Sequence, residues 1–144
     1  CLPEAPMLMV DSIAGYWENG GISHQGYARA TKKTNSSEWF FESHFKGDPV
    51  MPGSLGIEAM VQLAKFIAWR KKPKIKGLSL ATSGVQQTWV YRGQVIPTSQ
   101  NITLEVEIKS AQPERQELTF QGRLAVDGLV IYKIDNFGLS YEYV

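Results

Sequence analysis

One short stretch gathers groups suited to moving protons and holding a developing charge. It reads His44-Phe45-Lys46-Gly47-Asp48-Pro49-Val50-Met51-Pro52-Gly53-Ser54-Leu55-Gly56-Ile57-Glu58. An imidazole such as that of His44 can take up or release a proton near neutral pH. Gly53 closes the Met51-Pro52-Gly53 turn and opens a long apolar segment. There its N–H would face outward from a helix N-terminus and, aided by the helix dipole, could hold a carbonyl oxygen as it becomes an enolate. Glu58 follows among Ile57, Ala59 and Met60; a carboxyl in apolar surroundings costs free energy and favours its neutral, proton-bearing form. Gln62, one turn later, can hydrogen-bond to Glu58 and orient it. A base, an oxyanion donor and an acid are together what elimination of water across a Cα–Cβ bond requires. Each residue also has a plainer reading. His44 could be a structural histidine among Trp39, Phe40, Phe41 and Phe45, Gly53 an ordinary tight turn, and Glu58 a carboxylate favoured by the helix dipole.

The elements that must position these groups follow from periodicity. Leu55, Ile57, Ala59, Met60, Leu63, Ala64, Phe66, Ile67 and Ala68 wrap most of a helical surface, which predicts a buried helix over about 55–69. Ser54 is the expected N-cap, and the helix should end near Arg70-Lys71-Lys72, before Pro73. Its polar residues Glu58, Gln62, Lys65 and Trp69 step by four, three and four and so form one stripe. Short strands are expected at 7–10 and 26–30, with a loop over 32–37 and an aromatic anchor at 38–41. Longer strands are expected at 88–91, 101–108, 116–126 and 129–134. Along 102–108, Ile102, Leu104, Val106 and Ile108 share one face and Thr103, Glu105 and Glu107 the other. Asp127-Gly128 predicts a hairpin. A sheet curled around one central helix is the economical way to bury such a helix.

The chain has 144 residues, enough for one domain with a real core. A formal net charge of +1 argues against a general nucleic-acid or membrane-surface role, and no apolar run approaches the ~20 residues of a membrane span. Cys1, the single cysteine, offers no internal disulfide. His44, Asp48 and Glu58 match no common metal-ligand spacing. His24 is expected at the surface. Arg70-Lys71-Lys72-Pro73-Lys74-Ile75-Lys76 places five cations in seven positions, either a solvated helix end or an attractor for an acidic partner or a phosphate.

The motif from His44 to Gly53, followed by Leu55-Gly56-Ile57-Glu58-Ala59-Met60-x-Gln62, resembles the β-hydroxyacyl-acyl-carrier-protein dehydratases, most closely the bifunctional dehydratase/isomerase branch. Trp39-Phe40-Phe41 and Tyr91-Arg92-Gly93-Gln94-Val95-Ile96-Pro97 are similar to that branch too. The resemblance implies an α+β hot-dog fold, an antiparallel sheet wrapped around a long central helix, paired as a homodimer or with a second hot-dog fold. It implies His44 as base, Glu58 as the acid from the facing fold, Gly53 as N–H donor to the thioester, and Gln62 as the residue that positions Glu58; Pro52 and Ser54 flank Gly53 in the substrate-binding turn. It implies no cofactor: a β-hydroxyacyl chain arrives on the phosphopantetheine of an acyl carrier protein, in the cytoplasm, to be dehydrated to the trans-2-enoyl thioester. Glu58 stands where the bifunctional branch usually has Asp, and Ser54 where it commonly has Cys. The Gly-Ser-Leu-Gly-x-Glu form also resembles dehydratase domains of polyunsaturated-fatty-acid and polyketide synthases. With the initial Cys1, that implies a single domain, 1–144, excised from a larger enzyme. The alternatives are a dehydratase that also isomerises trans-2 to cis-3, a non-catalytic acyl-binding module, and a hot-dog thioesterase.

Overall fold

The computed structural model describes residues 9–34, 38, 40, 53–81 and 88–143. Among the described residues, seven strands, one long helix and a 3-10 turn at Pro113–Arg115 make up the regular elements that have defined bounds. The strands are β1 (Ser12–Trp17), β2 (Tyr27–Lys33), β3 (Ile75–Ala81), β4 (Thr88–Tyr91), β5 (Asn101–Gln112), β6 (Glu117–Val126) and β7 (Leu129–Tyr143), and the helix is α1 (Gly53–Lys71). The strands form one antiparallel sheet in the order β1-β2-β5-β6-β7-β3, with β4 also paired to β7.

The alternation along β5 explains which face meets the helix. Ile102, Leu104, Val106 and Ile108 are buried, while Thr103, Glu105 and Glu107 are half-exposed on the other side. Leu118, Phe120 and Leu124 of β6 and Ile134, Leu139 and Tyr141 of β7 join the buried face. Against it α1 packs Leu55, Ala59, Met60, Leu63, Ala64, Ile67 and Ala68. The result is the expected hot-dog arrangement, a curled antiparallel sheet around one helix.

Two of the sheet's bulges are tied together. Lys109 is the unpaired residue of β5 between Ile108 and Ser110, and Asp135 with Asn136 oppose the single Gln121 across β6–β7. Asn136 takes a left-handed φ of 58° there, a conformation that asparagine tolerates better than most residues. The Lys109 ammonium donates to Asp135 Oδ1 at 2.8 Å and to Asn136 Oδ1 at 2.6 Å, so one bulge clamps the other. At this bend β7 changes its second neighbour. Tyr132 to Asp135 pair with β4, and Gly138 to Tyr143 pair with β3.

Two glycines let helix and sheet approach. A Cβ on Gly56 would sit 2.5 and 2.7 Å from ring carbons of the buried Tyr132, and one on Gly122 would sit 3.1 Å from Met60 Sδ. Gly56→Ala is expected to lower unfolding free energy by about 1–2 kcal/mol in urea melts, because the overpacking cost exceeds the helix-propensity gain of under about 1 kcal/mol.

Several sequence expectations shift. Among the described residues the first strand is Ser12–Trp17, which was not expected; of the strand expected at 7–10, Met9 and Val10 lie outside any strand and residues 7 and 8 lie outside the described residues. β2 extends through Lys33, into the expected loop, because Lys32 and Lys33 pair with Ile102 and Asn101. β3 was not expected, and β7 continues nine residues past Ile134. The helix begins at Gly53, so Ser54 lies within its first turn instead of capping it. Asp127 and Gly128 form the expected hairpin turn, with φ of 49° and 90°. His24 is exposed as expected.

Candidate active site

Glu58 and Gln62 come together on α1. Gln62 Nε2 donates to Glu58 Oε1 at 3.0 Å, and Gln62 Oε1 accepts the backbone N–H of Met9 at 2.8 Å. The second bond fixes the amide. An oxygen must face the Met9 N–H, so the NH2 group must face the carboxylate. Gln62 is 0% exposed and Glu58 half-buried, so the glutamine is a rigid post and the carboxyl reaches the edge of the core. One carboxyl oxygen is held; among the described residues Oε2 has no hydrogen-bond partner and is left to meet a ligand.

Gly53 is the first helical residue. The N–H groups of the first helical turn have no acceptor within their own helix, so this end presents donors and the positive end of the dipole. Along α1, Glu58 lies about 7.5 Å further on and about 140° around the axis from Gly53. His44 and Pro52 lie outside the described residues, as do residues 41–51 generally, and Ser54 is described by its backbone alone. Among the described residues no group of three or more His, Cys, Asp or Glu could hold a metal ion.

The polar stripe predicted on α1 is present with a division of labour. Glu58, Lys65 and Trp69 are half-buried, whereas Gln62 is covered. Ile57 and Phe66 flank this strip and are half-buried too. One side of an otherwise buried helix therefore stays partly open.

Sequence reasoning missed two groups that tie neighbouring segments down. The Met9 N–H is a backbone donor and leaves no sequence signal. The other is Lys32, whose side chain is 7% exposed and pairs with Glu38 at 3.0 Å and Asp11 at 3.7 Å. Glu38 stands six residues before His44 in the chain and two before Phe40, which is buried. The signal for Lys32 was its place in the β2 alternation, an inward position occupied by a cation.

A separate cleft of about 360 Å³ lies on the outer face of the sheet, lined by Tyr27, Glu105, Glu107, Arg123 and Lys133 among others and by no residue of α1. Burial pushes the Glu105 carboxyl up. Hydrogen bonds from Arg123 and Tyr27, with the charges of Arg123 and Arg29, outweigh that and hold it below its usual value. A carboxyl with a depressed folded-state pKa stabilises the fold above its unfolded value, and that contribution is lost as pH falls through the folded value. Glu105→Gln is therefore expected to flatten the fall in melting temperature between about pH 5 and pH 3; the check is a series of thermal melts across that window.

Comparison with known proteins places this geometry. A dehydratase heterocomplex, ApeI:P from Xenorhabdus doucetiae, superposes with a TM-score of 0.69 at 14% identity, covering 97% of this chain and 86% of that one. A hypothetical thioesterase from Streptococcus pneumoniae TIGR4, solved with coenzyme A, superposes with a TM-score of 0.58 at 14% identity, covering 81% and 79%. AziG from S. sahachiroi gives 0.62 at 8% identity, covering 82% and 85%. At these identities the likeness is one of fold, and the fold is the hot-dog. The family model described as a FabA-like domain matches residues 2–135, nearly the whole chain and all of the Glu58–Gln62 site. The chain belongs to the FabA-like domain family.

Proposed function

We propose that this chain is a dehydratase that removes water from a β-hydroxyacyl thioester to give the trans-2-enoyl thioester. The observation that carries the reading is the oriented Glu58 carboxyl, held at one oxygen by Gln62 with the other oxygen open, on a helix whose first residue is Gly53. In the proposed reaction the His44 imidazole takes the α-proton. The electron pair forms the Cα–Cβ double bond as the Cβ–O bond breaks, and the Glu58 carboxyl gives its proton to the departing hydroxyl, which leaves as water. The Gly53 N–H holds the thioester oxygen while it carries enolate charge. The proton on His44 then returns to Glu58, directly or through water. Pro52 and Ser54 shape the turn around that oxygen, and no cofactor takes part.

The wide angle between Gly53 and Glu58 on one helix supports a site shared by two folds, with Glu58 of one copy facing His44 and Gly53 of the other. The partly open strip of α1 and the outer edge of β3, which has no strand partner among the described residues, are surfaces that such pairing would cover. The substrate would be carried by the phosphopantetheine of an acyl carrier protein, and the domain would belong to a larger synthase. Ser54 and Glu58, in place of Cys and Asp, support dehydration without isomerisation; incubation with a mid-length trans-2-enoyl thioester should yield no cis-3 product.

A second reading, hydrolysis of the thioester, is favoured by the coenzyme A-bound thioesterase that shares the fold. One variant and the wild type separate the readings. His44→Ala is expected to lose enoyl formation, followed by its ultraviolet absorption, while keeping the wild-type circular dichroism spectrum. Near-normal enoyl formation by that variant, or thiol release by the wild type, would sink the dehydratase reading.

A further inference from the structure

Glu58 is aimed by Gln62, and Gln62 by the Met9 N–H. Met9 is held in turn from two residues further along the chain. Met9 and Val10 are buried in the core and run between helix and sheet outside any strand. β1 begins only at Ser12, and Asp11 stands at the junction. Its N–H donates to the Thr31 carbonyl at 3.0 Å, and its Oδ2 accepts the Lys33 N–H at 2.8 Å. The carboxylate thus takes a β2 donor that a backbone carbonyl would have to serve if β1 ran on. The chain is released from the sheet at that point and reaches α1. The other oxygen, Oδ1, lies 3.7 Å from the Lys32 ammonium, which Glu38 meets more closely at 3.0 Å. The strap Met9-Val10-Asp11 is therefore fixed to β2 at one end and to Gln62 at the other, and both residues before Asp11 are packed in the core.

We propose that Asp11 is a positioning residue for the proton-transfer group. By holding the strap it sets the Met9 N–H, which sets the Gln62 amide, which sets the Glu58 carboxyl. The inference rests on the dehydratase reading of Glu58 and adds a remote determinant of where that carboxyl points. Gln62 is fully buried, and its amide oxygen must follow the Met9 donor because a hydrogen bond weakens steeply as it bends. The amide is planar, so a shift of Met9 that turns its oxygen also moves its NH2 end against Glu58 Oε1. Asp11 acts here as an acceptor of fixed reach rather than as a charge. Its side chain is 50% exposed, which screens its attraction for Lys32, and the ammonium keeps Glu38 as its nearer partner.

The test varies the reach and the charge of the acceptor separately. Asp11→Asn keeps an oxygen at the same distance from the backbone and removes the charge. Asp11→Glu keeps the charge and moves the oxygens outward by one methylene. Asp11→Glu should lower kcat for a β-hydroxyacyl pantetheine thioester by about tenfold or more with KM little changed, since a misplacement of about 1 Å remote from the chemistry can cost about a hundredfold. Asp11→Asn should keep most of the wild-type kcat. The opposite order would make Asp11 a charge partner of Lys32 and overturn the proposal, and so would variants that differ from wild type in melting temperature alone. On a Gln62→Leu background, Asp11→Glu should cost nothing further in kcat, because the strap then has no amide to aim; losses that multiply would overturn the proposal. The Gln62 side-chain NH2 signals in a nitrogen-correlated proton NMR spectrum, assigned by their disappearance in Gln62→Leu, read the coupling without turnover. They should move in Asp11→Glu and stay in place in Asp11→Asn. Unmoved signals in both variants overturn the proposal even where the wild type dehydrates its substrate. If the signals move as expected and the wild type forms no enoyl product, the coupling stands and it is the dehydratase reading of Glu58 that fails.

Discussion

Glu58→Gln is expected to lower kcat for dehydration by about 10²–10⁴-fold, the range by which one positioned proton-transfer group contributes, with KM and melting temperature little changed. The substitution keeps the shape of the side chain and an oxygen that can still accept the Gln62 Nε2 bond. It removes the one property the reaction needs, a proton on the oxygen that faces substrate. A structural carboxylate would behave differently: its loss would appear in the thermal melt, not in kcat. Gln62→Leu separates positioning from chemistry. Without its amide, Glu58 loses the bond that aims it and the Met9 N–H loses its acceptor. A buried donor left without a partner costs about 1–3 kcal/mol, so this variant should lose both stability and kcat, and Gln62→Glu should restore neither fully. Paired kcat and urea-melt measurements on the two positions distinguish the roles.

The second large effect is on stability. Glu38→Gln is expected to cost about 3 kcal/mol, because it strands the Lys32 ammonium at a site where little water reaches it. In a domain of this size that corresponds to roughly 10 °C in melting temperature. Asp11, at 3.7 Å and half-exposed, compensates only in part. The double change Lys32→Met/Glu38→Leu should recover most of the loss, since apolar groups of similar volume can replace a buried ion pair. If the single variant melts as the wild type does, the ammonium reaches solvent and the pair is not a structural post. The kinetic consequence is informative too: Glu38 begins the run that leads to His44, so the double variant reports whether an apolar anchor serves that run as well as an ionic one.

The fold was legible where one physical signal dominated. The helix announced itself because its apolar residues recur on nearly all sides, and β5 because a strict two-residue alternation leaves little choice of face. The hairpin at Asp127-Gly128 followed from the positive φ values that such a turn demands. β1 was not legible: Ser12-Ile13-Ala14-Gly15-Tyr16-Trp17 lies at the sheet edge with mixed burial and no clean alternation. β3 was hidden by its charges, since Lys74 and Lys76 flank Ile75 and suggest a loop. The far half of β7 was obscured by the Asp135-Asn136 bulge, which breaks the two-residue period in mid-strand. The pairing of Glu58 with Gln62 was legible from helical spacing alone. Its anchoring by Met9 was not, because a backbone amide carries no side-chain signature and the contact spans fifty-three positions of sequence.

The most direct test of the central claim is a mass spectrum. The wild-type protein would be incubated with a β-hydroxyacyl pantetheine thioester, and the acyl products resolved by mass. Dehydration predicts an enoyl thioester lighter by one water with its thioester bond intact, and the reverse hydration when the trans-2-enoyl thioester is supplied. Free pantetheine and a β-hydroxy acid, with no enoyl product in either direction, would contradict it.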